Sequence, residues 1–282
     1  GARRTDSPPR KLERTVVVVD DDGVRAPPLA DLDLVVLAGG LGTRLRPAVA
    51  DRPKALAPVG ASGRPFLDLL LAWFRRQGVR RVVLALGHMA DQVEARVPEL
   101  RRRLPGLEIA TSVEPGPLGT GGALRLCLPQ LRSDPVMVAN GDSFAEADLA
   151  AFLAAFAASG APAGLVAVEV PDAARYGRLE LSPAGGPCRV LRFAEKDPSL
   201  AGPARINGGL YLFRRGLLEE RLPPAGVAGS LERDLLERLA GPAGSLAAFP
   251  ADGRFIDIGT PESLAAAAEV LAPYLPQDQP AP

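Results

Sequence analysis

An apolar run at residues 34–37 empties directly into Ala38-Gly39-Gly40-Leu41-Gly42-Thr43-Arg44-Leu45-Arg46-Pro47, and Arg52-Pro53-Lys54 follows at once. A short buried strand that runs out into glycines is how a parallel α/β sheet begins, and such sheets collect ligands beyond the carboxyl ends of their strands. Glycines let the backbone approach a polyphosphate closely, and successive N–H groups in such a loop form an anion-binding nest. Arg44 and Arg46 add positive charge, and Lys54 adds a compact ammonium a short distance on. The loop is not a Walker A, because no Gly-Lys-Ser/Thr closes it. Nor is it the dinucleotide fingerprint, because Leu45 stands where the third glycine belongs.

The alternation continues along the chain. Residues 82–86 form a second apolar run, and between the two runs residues 66–77 carry Leu69, Leu70, Trp73 and Phe74 at helical spacing and stop at Gly78. Residues 91–104 read as a polar-faced helix ended by Pro105 and broken or kinked at Pro98. A strand at 107–113, a helix at 121–128, a strand at 135–140 and an Ala/Leu/Phe-rich helix running to Gly160 follow. From about Gly164 the pattern shifts to strands with turns, at 164–170, 177–181, 189–195 and 206–213, and then to helices at 231–239 and 261–271. This rhythm predicts an α/β fold with a Rossmann-like, doubly wound, mixed but mainly parallel sheet, in one main domain over residues 34–275. Residues 1–33 read as an N-terminal extension in which Asp20-Asp21-Asp22-Gly23 is a solvated turn, and residues 276–282 as a frayed tail.

Composition narrows the partners. The 282 residues carry 33 basic and 33 acidic side chains, so no overall charge invites nucleic acid or a membrane surface. Arg101-Arg102-Arg103 reads as the solvated end of a helix, and His88 as a loop residue. Two cysteines, Cys127 and Cys188, are too few to staple a chain of this length, which fits a reducing cytoplasm. No apolar run reaches membrane-spanning length, and the first residues lack the order of a signal peptide.

Two aspartates stand out. Asp142 follows a strand that ends at Asn140 and runs into Gly141, where a parallel sheet presents its ligand groups. Asp257 lies in Phe255-Ile256-Asp257-Ile258-Gly259, and a charge among such large apolar neighbours requires a partner.

Taken together, the Gly-rich string with its Pro-Lys, Pro65-Phe66-Leu67, the segment from Glu114 to Leu124, Asn140-Gly141-Asp142, Tyr176-Gly177, Glu195-Lys196, Asn207-Gly208-Gly209-Leu210-Tyr211 and the Phe-Ile-Asp-Ile-Gly-Thr-Pro ending resemble the sugar-1-phosphate nucleotidyltransferases, in that family's order. Within the family, Pro117-Leu118-Gly119-Thr120-Gly121-Gly122-Ala123 and Ser230-Leu231-Glu232-Arg233-Asp234 are most similar to the heptose 1-phosphate guanylyltransferases.

The resemblance implies Mg²⁺-dependent transfer of a nucleotidyl group from a nucleoside triphosphate to a sugar 1-phosphate, with residues 34–160 as the nucleotide-binding half and 161–275 as the sugar-binding half. GTP and D-glycero-D-manno-heptose 1-phosphate are the implied substrates. The implied catalytic groups are Arg44, Lys54, Asp142 and Asp257, the two aspartates also holding the metal. Nucleotide contacts fall to Leu37, Ala38, Gly39, Gly40, Gly42, Thr43, Glu114, Gly119 and Thr120. Sugar phosphate contacts fall to Gly177, Glu195, Lys196 and Asn207. At Glu114 a carboxylate only accepts, which suits the N1–H and N2–H₂ donors of guanine, admits the single N3–H of uracil and fits adenine poorly. Glu232 to Asp234 read either as an extension towards a larger sugar or as a plain polar helix face. Mannose 1-phosphate guanylyl transfer, uridylyl transfer to an N-acetylated sugar phosphate and a non-catalytic regulatory subunit of the same fold remain open, as does self-association into a dimer or larger assembly.

Overall fold

The computed structural model of the chain describes residues 26–40, 45, 51–173, 176–183, 186–194 and 202–274. The acidic turn at 20–23 and the tail from 276 therefore lie outside the described residues, as do Gly42, Thr43, Arg44, Arg46, Glu195 and Lys196. A one-turn helix, Leu29–Asp31, leads into β1 (Asp33–Leu37), so folded structure begins slightly ahead of the expected boundary at 34. A second short turn, Lys54–Leu56, precedes β2 (Pro58–Val59), β3 (Arg64–Pro65), α1 (Phe66–Gln77), β4 (Arg81–Leu86), α2 (Ala90–Arg103), β5 (Glu108–Val113) and α3 (Gly119–Cys127). Next come β6 (Val136–Asn140), β7 (Ser143–Ala145), α4 (Leu149–Ser159), β8 (Ala163–Val170), β9 (Arg178–Leu181), β10 (Val190–Ala194), β11 (Ala204–Phe213) and α5 (Arg215–Arg221). A π-helical turn, Glu232–Leu236, runs into α6 (Glu237–Leu239), followed by β12 (Leu246–Ala251), β13 (Phe255–Asp257), α7 (Pro261–Leu271) and a last short turn, Ala272–Tyr274.

One mixed sheet spans both halves of the chain, in the order β10-β9-β11-β6-β1-β4-β5, with β8 beside β11 and β12 beside β8. Strands β6, β1, β4 and β5 are parallel, as the apolar runs between helices predict, and β11 lies antiparallel to β6. Both faces are covered, which is why the central strands read as unbroken apolar runs. One face packs Phe66, Trp73, Phe74, Val93, Phe152 and Phe156, and the other packs Leu124, Cys127, Tyr211, Phe213, Leu231 and Leu235.

Local signals explain the element ends. Helix α1 stops where Gly78 adopts φ 112°, a left-handed cap that costs glycine no steric penalty. Helix α2 differs from expectation: it continues through Pro98. Val93, Val97 and Leu100 of α2 are buried on the sheet, while Pro98 is on the exposed side, where water can reach the carbonyl it leaves unpaired. Arg96 of α2 also donates from Nε to Asp68 of α1 at 2.7 Å, tying the two helices together. The expected helix at 231–239 is split into a π turn and a short α segment. Helix α5 and strand β12 were not predicted at all.

At the edge away from the glycine loop, Asp33 anchors the parallel strands. Its carboxylate accepts the backbone N–H of Ser133 at 2.8 Å, the N–H of Arg132 and the guanidinium of Arg81. Arg81 reaches on to Glu108 at 3.1 Å and the Gln130 carbonyl at 2.8 Å, so one network joins β1, β4, β5 and the turn before β6. Burial pushes the Asp33 carboxyl up, but the two N–H groups and Arg81 outweigh it and hold it below the ordinary aspartate value. Asp33→Ala leaves the largely buried Arg81 without this partner and is expected to cost about 3 kcal/mol, read as a lower urea midpoint at pH 7. Because the folded carboxyl is more acidic than the unfolded one, the stabilisation is complete above roughly pH 4 and fades as pH falls below it. The gap between wild type and Asp33→Ala should therefore close in acid.

Candidate active site

Lys54 stands at the start of its short turn, fixed behind Pro53, with its side chain only 13% exposed. Its ammonium donates to Asp142 Oδ2 at 2.7 Å and lies 4.0 Å from Asp257 Oδ1. Asp142 hangs just beyond the carboxyl end of β6, as the strand pattern predicts. The Gly141 N–H donates to the Leu37 carbonyl at 2.8 Å, which holds the turn against the end of β1. Asp257 arrives from the far end of the chain on β13, which pairs antiparallel with β7 so that Asp257 faces Ser143. The Ile258 N–H extends this ribbon to the Asp142 carbonyl at 2.9 Å. The register of a two-stranded ribbon thus places two carboxylates on one ammonium.

A divalent cation fits this donor set. Among the described residues Asp142 Oδ1 and Asp257 Oδ2 accept no hydrogen bond, and the ammonium neutralises only one of the two carboxylate charges. The described residues contain no cluster of three or more protein ligands for a metal. Mg²⁺ takes one or two carboxylates and completes its shell with phosphate oxygens and water, so the two open carboxylate oxygens suit it.

Beside the lysine opens a cleft of about 380 Å³, and its wall brings together most of the expected nucleotide residues: Leu37, Ala38, Gly39, Gly40, Glu114, Gly119 and Thr120, with Lys54 and Asp142. Glu114 is turned partly inward. Its Oε2 accepts the Leu118 N–H at 3.0 Å, closing the loop into α3. A Cβ on Gly87 would lie 2.2 Å from its Oε1, so the absence of a side chain at Gly87 makes room for it. Burial pushes the Glu114 carboxyl above its usual value despite the Leu118 N–H.

The expected sugar residues are placed less uniformly. Asn207 lies at an irregularity of β11, where its Nδ2 donates to the Tyr211 hydroxyl and its Oδ1 accepts the Gly209 N–H, both at 3.0 Å. Gly209 takes φ 72°, and a Cβ there would lie 2.6 Å from Ser143 Oγ, so this position holds β11 close to the β6–β7 turn. Gly177 packs near the Ala194 carbonyl, and the neighbouring Tyr176 ring meets Phe255 edge-on at 5.6 Å, two residues before Asp257. Arg44, Gly42, Thr43, Glu195 and Lys196 fall outside the described residues. Asn140 and Glu232 also line the cleft. Asn140 carries a sequence signal, since it ends a strand beside Asp142. Glu232 reads in sequence equally well as part of a polar helix face.

The sequence matches the nucleotidyl transferase family over residues 34–272. It is 30% identical to a D-glycero-alpha-D-manno-heptose 1-phosphate guanylyltransferase of Aneurinibacillus thermoaerophilus, over 86% of this chain and 100% of that protein. It is 35% identical to a mannose-1-phosphate guanylyltransferase of Mycobacterium tuberculosis, over 82% of this chain, and spans 62% of that protein's length. Among solved structures, HddC from Yersinia pseudotuberculosis complexed with GMP-PN superposes with a TM-score of 0.71 at 33% identity, covering 84% of this chain and 98% of that one. A match that runs from β1 to the last turn, on a sheet with the same architecture, makes this chain a member of the nucleotidyl transferase family, an enzyme family whose guanylyltransferases are among its relatives.

Proposed function

We propose that this protein transfers a guanylyl group from GTP to a sugar 1-phosphate, D-glycero-D-manno-heptose 1-phosphate being the acceptor, and releases pyrophosphate. The observation that carries the reading is the Lys54 ammonium held between Asp142 and Asp257 at the mouth of a glycine-walled cleft. The heptose assignment is supported by the likeness to heptose 1-phosphate guanylyltransferases, and the guanine assignment also by the HddC neighbour complexed with GMP-PN. The mannose 1-phosphate relatives keep that sugar as the second reading.

A phosphate oxygen of the sugar 1-phosphate attacks the α-phosphorus of GTP, the new P–O bond forming as the bond to the β-phosphate breaks. No side-chain nucleophile or base is required, because the attacking phosphate is already ionised. The barrier is repulsion and alignment between two anions. Lys54 would set its charge against the reacting phosphates, and Arg44 and the Gly39–Gly42 backbone would hold the departing pyrophosphate. Glu114 and Gly119 would face the base, while Gly177, Glu195, Lys196 and Asn207 would face the sugar phosphate. In this reading residues 34–160 serve the nucleotide and 161–275 the sugar. Mg²⁺, held by Asp142 and Asp257, would supply positive charge to the phosphate oxygens.

The test is pyrophosphate release with Mg²⁺ across GTP, UTP, ATP, CTP and dTTP against heptose, mannose, glucose and N-acetylated sugar 1-phosphates. Turnover confined to GTP with heptose 1-phosphate is expected; a preference for UTP or for another sugar discards the substrate while keeping the chemistry. Asp142→Ala should lose at least ~100-fold in kcat with an unchanged melting temperature; Lys54→Met should lose as much, with a lower melting temperature because it leaves Asp142 and Asp257 without the cation between them. Retained turnover in Asp142→Ala would remove that residue from the metal site.

A further inference from the structure

The β7–β13 ribbon has two ends. One presents Asp257 opposite Ser143, beside Asp142, and the other runs out at Glu146 and Arg254. There the Glu146 N–H donates to the Arg254 carbonyl at 2.8 Å, and Glu146 Oε2 accepts the Arg254 N–H at 2.9 Å. The carboxylate thus extends the ladder beyond its last strand pair. Its other oxygen, Oε1, accepts the hydroxyl of Tyr274, from the turn that follows α7. Burial first, and then the Glu146 carboxylate, push the ionisation of that hydroxyl up, so it stays the donor. A Cβ on Gly253 would lie 2.2 Å from the Glu146 carbonyl oxygen, so the chain passes this corner closely only because no side chain stands there.

The ring of Tyr274 is held independently of its hydroxyl. It lies 5.3 Å from Phe144, the middle residue of β7 and two positions after Asp142, and Phe144 lies 5.1 Å from Trp73 of α1. Arg76 of α1 sits over the ring at 5.4 Å and donates from Nη2 to the Tyr274 carbonyl at 2.7 Å. The segment from Asp257 to Tyr274 is therefore pinned at both ends to one short strand, through the β13 pairs at its start and through Glu146 at its finish. Between them Thr260 and Ser263 close the N-terminus of α7, and the Gly259 N–H donates to Asp257 Oδ1. Three strand pairs separate the Tyr274 contact from the carboxylate, and a ribbon so short frays unless its open end is tied. Mg²⁺ tolerates little departure from octahedral geometry, so the separation of two carboxylates that share it matters.

We infer that Tyr274 is a positioning residue: its hydroxyl on Glu146 holds the ribbon closed and so keeps Asp257 where it and Asp142 can share one divalent cation. The inference rests on the metal site proposed above, and it gives the turn after α7 a part in the chemistry although Tyr274 touches no substrate.

Tyr274→Phe tests it, since phenylalanine keeps the ring between Phe144 and Arg76 and removes only the hydroxyl. Titration of the full chain with Mn²⁺, an ion that also takes oxygen ligands, supplies a readout without turnover: the Gly141 and Ile258 N–H resonances should broaden as the site fills. In Tyr274→Phe the Mn²⁺ concentration that half-broadens them should rise at least ~5-fold, the change that losing one hydrogen bond carries. Turnover at limiting Mg²⁺ should fall by a similar factor and recover as Mg²⁺ is raised, a rescue that a merely destabilised protein does not show. Glu146→Gln keeps an acceptor oxygen for the Tyr274 hydroxyl or for the Arg254 N–H but not for both, and should shift the two readings in the same direction. A lower melting temperature with the Mn²⁺ titration and the Mg²⁺ dependence unchanged in both variants leaves Tyr274 a structural residue and overturns the inference. A wild type whose Gly141 and Ile258 resonances ignore Mn²⁺ overturns the metal site itself, and this inference with it. Failure of the wild type to release pyrophosphate with any substrate pair overturns the proposed reaction, whereas the Mn²⁺ titration still decides the role of Tyr274.

Discussion

Two carboxylates meeting one ammonium is the constraint to which the rest of the molecule answers. Lys54, Asp142 and Asp257 are far apart in the chain, and like charges so close together are unfavourable unless a cation lies between them. Each is delivered by a different device: a proline-fixed turn, the open end of a parallel strand and a short antiparallel ribbon. The ribbon has only the pairs from Ser143 to Ala145, and an isolated pair of that length is not stable by itself. It persists because Phe144 is buried between Trp73 and Tyr274, at ring distances of 5.1 and 5.3 Å. The core thereby sets the geometry of the charges.

The sheet divides the labour in the same way. Its parallel strands, β6, β1, β4 and β5, all end at one edge, so loops from distant parts of the sequence converge there with their backbone N–H groups and side chains facing one cleft. The opposite edge is closed by the network around Asp33 and Arg81, which carries no ligand group and serves cohesion. Strand β11 then runs antiparallel against β6 and brings the second half of the chain to the same mouth. A mixed sheet is thus the physical means by which groups from both halves of the chain come to lie at one cleft.

Much of this was legible in the sequence. Strand-to-glycine transitions, the 3.6-residue spacing of α1 and the Gly160 boundary of α4 are local signals, and the elements appear where those signals place them. Where prediction and structure part, tertiary packing had the larger say. Pro98 does not end α2, because the buried stripe of that helix holds it to the sheet while the proline faces water. Strand β12 carries Ala-Ala-Phe-Pro-Ala, a weak β pattern, and forms because β8 offers it a parallel edge. The π turn at 232–236 is likewise shaped by its bonds to α3.

The sequence by itself determined the family, and it singled out Lys54, Asp142, Asp257, Glu114 and the glycine loop as candidates, because these are residue types that suit polyphosphate and metal chemistry at the ends of strands. Only the tertiary structure decided which oxygens remain available to a ligand. Asn207 and Glu114, read as polar groups for substrate, also hold their own loops through Gly209 and Leu118, and Glu232, read as a surface acid as readily as a site residue, lines the cleft. The reason is physical: a side chain's donor and acceptor capacity is shared among whatever neighbours the fold supplies, and those neighbours come from parts of the chain that no local pattern connects.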